Sequence, residues 1–339
     1  MPIPDYGVLV GTVTDKLDSI AAKKKNPKGS PHYQILIEAA GEKFRIAVNV
    51  KSDTNPPDLQ FYLDDNYKHP ILDAIAKLAG GFNPIPKGGP NTAALDYIRG
   101  NLFDFKDLQI LPATAGDGSN NDLNDIFDVW VEKALATEGA LVYAFGSKWA
   151  PEKAPDAYFD FTPGQGIHDI HMNQGNTGSF AKDNGVYTDG GLFIHFPDED
   201  RWVAMFLKFQ SQVVHTDDGS AEPIPTPTLP EEDTDIRIFA ALVNPGSDDT
   251  GHEAVYLLNT TGKDISLEGW AIADKQKKKE TLSGTIPAGA PLIHVLSGKT
   301  AQLSNAGGII TLLNKDGLKI SGVSYTKDQA AQQGKVIVF

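Results

Sequence analysis

Short runs rich in β-branched and aromatic residues punctuate the first fifty positions. Residues 8–13, 33–38 and 43–50 read as strands, with Gly41 as the turn of a hairpin between the last two. A helical period replaces this pattern at 70–79, where Ile71, Ile75, Leu78 and Ala79 share a face before Gly80 and Gly81. A longer helix is predicted over 123–137 from the spacing of Ile126, Trp130, Val131 and Leu135, with Asn121 or Asp122 available as its cap. Gly139 then precedes an apolar run over 140–146 that reads as a buried strand. Asp189-Gly190-Gly191 opens another strand over 192–196, and a turn at 197–200 returns the chain through 202–209 as a β-hairpin. Helix followed by strand makes this first unit mixed α/β (α+β).

From Thr216 to Asp235 the chain is dense in proline and acid and poor in large apolar groups, a composition that extends a segment into a spacer. The division that follows is a unit at 1–218, a linker at 219–235 and a C-terminal module at 236–339. In that module, short strands are separated by turn residues at intervals of about eight to twelve positions, an all-β pattern that places Trp270 between sheets.

A chain of 339 residues, 40% of them hydrophobic, has enough apolar mass for more than one core. The formal net charge of -14 argues against a surface that grips nucleic acid or anionic lipid by bulk attraction. The absence of cysteine excludes disulfides, thiolate metal sites and thiol catalysis. No apolar run approaches the roughly 18 residues of a membrane span, and no basic-then-apolar leader opens the sequence, so the expected location is the cytoplasm. The run Lys23, Lys24, Lys25, Asn26, Pro27, Lys28 reads as a solvated loop, with anion contact as the alternative. The basic run over 275–279 reads as a solvated hairpin tip.

Candidate chemistry concentrates at 166–176, where His168, Asp169, His171, Asn173, Gln174 and Asn176 crowd together. With Ile170 and Met172 buried on a strand, Asp169, His171 and Asn173 would form a row on the opposite face. Two further fragments, His195 with Asp189 nearby and the stretch Gln210, Gln212, His215 and Asp217, would complete a site if the fold brings them in. An imidazole exchanges protons near neutral pH and a carboxylate fixes its tautomer. Amides hold a developing oxyanion. His171 is thus the leading general acid or base, Asp169 its orienting partner, and Asn173 the anion holder, with His168, His195 and His215 as further catalytic candidates. Gln174, Asn176, Asp189, Gln210 and Gln212 are candidate ligand contacts. Asp169, His171 and Asp217 would suit a divalent metal ion. The bland readings are a turn closed by Asn173, Gln174 and Asn176 around Gly175, a structural His195, and a solvent-exposed His215 and Asp217. His32, His69, His252 and His294 lack a polar constellation. No phosphate loop, nucleophile elbow, His-Glu-x-x-His or zinc knuckle is present.

The segments Tyr143-Ala-Phe-Gly146, Gly166-Ile-His-Asp-Ile-His-Met-Asn-Gln-Gly-Asn176, Asp189-Gly-Gly-Leu192 and Phe209-Gln-Ser-Gln212 through Asp218 resemble the YukJ-like family of bacterial proteins over about 3–218. That resemblance implies a shared domain and supplies no reaction. Residues 236–339 resemble a lamin tail domain, on Val243-Asn-Pro-Gly246, Glu253-Ala-Val-Tyr-Leu-Leu-Asn259, Ile265 to Asp274, Ile286-Pro-Ala-Gly289 and Leu303 to Leu313. This second resemblance implies an immunoglobulin-like sandwich that acts as a binding or tethering module, of a kind often attached to bacterial hydrolases or nucleases. The resulting expectation is a hydrolase of a phosphodiester or related ester, working by His/Asp acid-base or metal-assisted chemistry. In that reading the sandwich targets the enzyme to a protein or other partner. The alternative is a noncatalytic protein that binds a small ligand or partner.

Overall fold

The computed structural model describes residues 5–29, 32–50, 59–85, 93–95, 97, 100–104, 107–112, 122–168, 170, 190–209, 236–246, 249–317 and 319–339. The first unit runs β1 (Tyr6–Leu17), α1 (Ser19–Lys25), β2 (Tyr33–Ala39), β3 (Glu42–Val48), β4 (Leu59–Asp64), α2 (Leu72–Ile75), β5 (Gly81–Pro84), β6 (Gln109–Leu111), α3 (Leu123–Ala136), β7 (Leu141–Glu152), β8 (Gly164–His168), β9 (Gly191–Phe196) and β10 (Arg201–Phe209). It is mostly strand, so the mixed α/β expectation holds only loosely. The helix-then-strand passage is present, but α3 is the one described helix longer than seven residues.

All ten strands join one sheet, in the order β5-β1-β2-β3-β8-β7-β9-β10-β4-β6, and an extra pairing of β1 with β7 closes part of it on itself. The first half of β1 pairs with β7, from Tyr6↔Ser147 to Gly11↔Val142, and its second half pairs with β2, from Thr12↔Glu38 to Leu17↔Gln34. Strands β1, β2, β3, β8 and β7 therefore form a five-stranded barrel, antiparallel except where β3 meets β8 in parallel at Arg45↔Gly166 and Ile46↔Ile167. The period of two sorts the side chains. Tyr33, Ile35, Ile37, Phe44, Ile46, Val48 and Ile167 point into the barrel core, and Gln34, Arg45 and His168 alternate with them onto the outer face. Strands β9, β10, β4 and β6 extend the sheet from β7, and β5 pairs with the first half of β1. Their outer side carries a second core that includes Tyr67, Tyr97, Phe103, Phe193 and Phe206.

Helix α3 covers the barrel core. Asp122 caps it by accepting from the Asp125 N–H at 2.9 Å. The buried stripe is Leu123, Phe127, Val131 and Ala134, rotated from the predicted face: Leu135 is exposed, and Ile126 and Trp130 are half-buried. The Phe127 ring lies 5.2 Å from that of Tyr33, whose hydroxyl donates to Asp128 at 2.5 Å. Trp130 is held at the rim by Phe196 and by the cations of Lys133 and Arg201. The predicted helix at 70–79 is shorter than its period suggested. Past Ile75 the bonds tighten to Lys77 N–H on the Ala74 carbonyl and Leu78 N–H on that of Ile75. Lys23, Lys24 and Lys25 are not loop residues but the last turn of α1, capped at its start by Asp18.

The C-terminal module runs β11 (Ile236–Leu242), β12 (Ala254–Asn259), β13 (Ile265–Ser266), β14 (Ala271–Asp274), β15 (Lys279–Thr281), β16 (Thr285–Ile286), β17 (Pro291–Val295), β18 (Gly308–Leu313), β19 (Lys319–Tyr325), α4 (Lys327–Ala330) and β20 (Val336–Val338). Sheets β17-β12-β11-β20 and β15-β14-β18-β19 face each other across one apolar core, to which Ile238, Val255 and Leu257 contribute from one side and Ile272, Ile310 and Leu312 from the other. Trp270 is half-buried at the rim of this core rather than at its centre. Of the basic run, 275–278 form the β14–β15 turn and Lys279 opens β15, while Lys275 folds back to donate to the Gly307 carbonyl at 2.9 Å. The linker at 219–235 lies outside the described residues. Among the described residues no helix is long and apolar enough to cross a membrane.

Glu253, 2% exposed, accepts the Leu303 N–H on both oxygens at 2.9 and 3.0 Å and so fixes the loop that leads into β18. Burial pushes its carboxyl up to about 7 against the pull of that N–H, with Asp249 and Asp274 adding to the rise. A carboxyl whose folded value lies above its ordinary 4.5 holds its proton more tightly in the native state. Native stability should therefore fall as pH rises from about 4.5 to about 7. Glu253→Gln, whose amide oxygen still accepts from Leu303, should flatten that decline and exceed the wild type in stability at pH 8, measured by denaturant unfolding across pH. An unchanged pH profile would show that the carboxyl does not titrate in this window.

Candidate functional site

On the outer face of the barrel, a cleft of about 420 Å³ is lined by Gln34, Arg45, Ala47, Trp149 and His168 from the strands, by Asn26 and His32 from the β1–β2 connection, and by Glu152 and Pro155 to Tyr158 from the β7–β8 connection. Its size suits a small ligand. Strand alternation alone turns Arg45 outward between Phe44 and Ile46, and its position opposite Gly166 sets it beside β7 and its connection to β8.

Arg45 is the organising group. Its Nε donates to Asp156 Oδ2 at 2.6 Å and its Nη1 to Gln34 Oε1 at 2.7 Å. Its guanidinium carbon lies 4.6 Å from the ring centroids of both Trp149 and Tyr158. The cation is therefore sandwiched between two aromatic faces, an arrangement that suits arginine, whose planar head is weakly hydrated. The Asp156 side chain is 2% exposed, and its Oδ1 accepts from the N–H groups of Tyr158 and Phe159, both at 3.0 Å. A buried carboxylate so engaged is neutralised by Arg45 and also holds the turn that presents Tyr158. Of the five guanidinium N–H donors, two are used. Those on Nη2 and one on Nη1 have no partner among the described residues.

The two connections meet over this cleft. Lys25 pairs with Asp160 at 3.0 Å, and a methyl at Gly29 would strike the Tyr158 hydroxyl. A methyl at Gly166 would run into the Arg45 carbonyl and the Trp149 ring, so β8 passes under Trp149 only because that side chain is absent.

Of the residues selected from sequence, His168 reaches this cleft, with its ring 5.9 Å from that of Trp149. Ile170 is fully buried, but β8 ends at His168, so Ile170 lies beyond the strand. His195 is elsewhere. It pairs with Leu141 at the start of β7, whereas His168 pairs with Ser147, six residues along the same strand and so roughly 20 Å away. The His195 ring stacks on Trp202 at 4.4 Å, and burial lowers its pKa despite nearby Asp200. That stacking gives His195 a packing contact in the β9–β10 hairpin. Asp169, His171, Asn173, Gln174, Asn176, Asp189, Gln210, Gln212, His215 and Asp217 lie outside the described residues. Among the described residues no group of three His, Asp or Glu side chains stands ready to hold a metal ion. His69 has a structural place. Its Nδ1 accepts the Ile71 N–H at 3.0 Å, which leaves Nε2 to donate to the Gly100 carbonyl at 2.8 Å, and burial takes its pKa down to about 4. His294 meets Glu280 at 3.1 Å.

Arg45, Gln34 and Asp156 were missed from sequence. An arginine at an outward strand position has the same local signature whether it is solvated or sandwiched. Only the dense aromatics of Tyr158-Phe-Asp-Phe161 hinted at a platform.

If the Asp156 clamp orders the β7–β8 connection, Asp156→Ala should cost about 3 kcal/mol or more, because it strands a half-buried guanidinium and two N–H groups. Asp156→Asn should cost less, since its amide oxygen still accepts. Denaturant unfolding of both variants reads this directly. A loss under about 0.5 kcal/mol for the alanine would be that of an ordinary surface pair.

A family model for a lamin tail domain matches residues 230–327. The uncharacterized protein YukJ of Bacillus subtilis (strain 168) is 38% identical over 222 residues, which are 65% of this chain and 94% of YukJ. The model of an uncharacterized conserved protein family, DUF2278, matches residues 1–221, and the chain belongs to that family, with a lamin tail domain following it.

Proposed function

We propose that the barrel is a ligand-binding module whose outer face takes a nucleotide-class ligand, with an anionic group on the open N–H edge of Arg45 and a ring against the aromatic walls. The observation that carries this reading is the guanidinium held between Trp149 and Tyr158 with donors to spare. An anion placed there gains charge-assisted bonds from a head already immobilised, so little ordering is lost on binding.

The topology supports the same reading. The five barrel strands follow the order β1-β2-β3-β8-β7, with α3 entering between the third and fourth in sequence, which is the plan of an OB-fold. Domains of that plan use the face of their second and third strands, flanked by the first and last connections, for oligonucleotides and oligosaccharides. The cleft occupies the corresponding place. This is support by fold analogy, and the chemistry of Arg45 tips it toward an anionic ligand. The net charge of -14 is compatible with such a role, since recognition in one pocket needs no basic surface.

A second reading, hydrolysis of a phosphodiester or related ester with or without a divalent cation, is favoured by one observation: His168 lines the same cleft. In both readings we assign the sandwich a role in presenting this face to a target, and we place the protein in the cytoplasm.

The test is calorimetric titration of the full chain with mononucleotides, short single-stranded oligonucleotides, and neutral and anionic oligosaccharides, repeated with Arg45→Lys and Trp149→Ala. Loss of the planar fork should weaken binding of an anionic ligand by about tenfold or more. Affinity indifferent to both substitutions, or no binding across the panel, would remove the proposal. The same mixtures assayed for phosphodiester cleavage with added Mg²⁺ or Mn²⁺ separate the readings. Turnover that is lost in His168→Gln, with binding retained, would favour the hydrolase.

A further inference from the structure

The short stretch 100–104 of the first unit is unusually committed for a connection. The Gly100 carbonyl accepts from His69, the Leu102 carbonyl accepts from the Tyr67 hydroxyl at 3.0 Å, and the Phe103 ring stacks at 5.1 Å on Tyr62 and sits 4.7 Å from Phe206. These anchors fix both sides of Asn101, which is 4% exposed and has a φ of 48°. Glycine or asparagine suits such a left-handed backbone, and here the side chain has a use.

That side chain enters the sandwich. Asn101 Nδ2 donates to the Ile310 carbonyl at 3.0 Å and to Thr311 Oγ1 at 2.8 Å on β18, with the Val323 carbonyl of β19 at 3.4 Å. Thr311 points away from the sandwich core that Ile310 and Leu312 fill, yet it is only 7% exposed. Something covers the outer side of this sheet at that point. Gly322, directly across from Thr311 in the β18–β19 ladder, makes room: a methyl there would strike Asn101 Oδ1. A second link is electrostatic. Burial and neighbouring Asp104 push the Asp107 carboxyl up, while Arg237 of β11 draws it down, so a cation of the sandwich lies close to an acid of the first unit.

From these contacts we infer that the lamin tail sandwich is docked on the first unit through its β18–β19 hairpin, that Asn101 specifies the seat, and that the two move as one body rather than as modules on a string. Acceptors from two strands around the buried Asn101 N–H groups favour a single orientation, because an off-register seat leaves those donors without partners. Gly322 adds the steric half of the specification. The external partner of the sandwich, whatever its nature, then meets a surface other than the outer side of β18 and β19 around Thr311.

The experiment is backbone ¹⁵N relaxation on the full chain, comparing the tumbling of amides at 5–209 with those at 236–339. One shared rotational correlation time is expected for the wild type. Asn101→Gly keeps the backbone freedom and deletes the amide, and Gly322→Val fills the seat from the other side, so a folding failure in one leaves the other to report. Each should split the chain into two faster-tumbling bodies, with the correlation time of the sandwich falling about twofold or more. Two independent correlation times in the wild type would overturn the inference. So would wild-type tumbling in both variants.

Discussion

The architecture of the first unit rests on strand β1 having different partners along its length. Its first six residues pair with β7 and its last six with β2, and this is what closes the sheet into a barrel. Closure creates an inside and an outside for strands that would otherwise have two equivalent faces. Once Ile35, Ile37, Phe44 and Ile46 are committed to the interior, Gln34 and Arg45 have no choice of side. The parallel pairing of β3 with β8 brings the start of the β7–β8 connection, and with it Asp156, over Arg45. The cleft is thus a consequence of barrel closure and not a feature added to it.

Arg45 and Asp156 illustrate how a chain of net charge -14 holds a half-buried arginine in a cleft. Two charges removed from water cost more than their attraction returns unless the remaining donors and acceptors are satisfied. Asp156 meets that condition with two backbone N–H groups, and Arg45 meets part of it with Gln34 and two ring faces. The unfilled part, on Nη2 and Nη1, leaves donors without a partner among the described residues. A lysine could not reproduce it, since an ammonium neither stacks as a plane nor offers a fixed fork.

The strands over 33–38 and 43–50, the Gly41 turn, the Asp122 cap and the β9–β10 hairpin were legible because each is decided by local periodicity and turn chemistry. The stripe of α3 was misplaced by part of a turn, because Trp130 and Leu135 are apolar by type but Trp130 is occupied by cations at the rim and Leu135 faces water. Barrel closure was not legible, because it depends on pairing residues 6–11 with 142–147 across more than a hundred positions. The site was the least legible part. The sequence draws the eye to imidazoles, but imidazole density says nothing about which rings share a face, and His168 and His195 pair with β7 six positions apart. What organises the cleft is an arginine on β3 and, more than a hundred positions later, an aspartate and two aromatics grouped within 149–158.

The same distant pairing explains why the two halves of the chain need not behave as separate modules. Tyr97 donates to the Gly190 carbonyl at the entrance to β9, and Tyr97, Phe103 and Phe206 pack ring to ring in the second core. The stretch that carries Asn101 to the sandwich is therefore continuous with the apolar layer under β9 and β10. Disturbing the seat should be felt first in that layer and only through β7 in the barrel. The cleft face, on β2, β3 and β8, lies beyond the closed barrel wall from this layer, which lets the sandwich be rigidly held without intruding on Arg45.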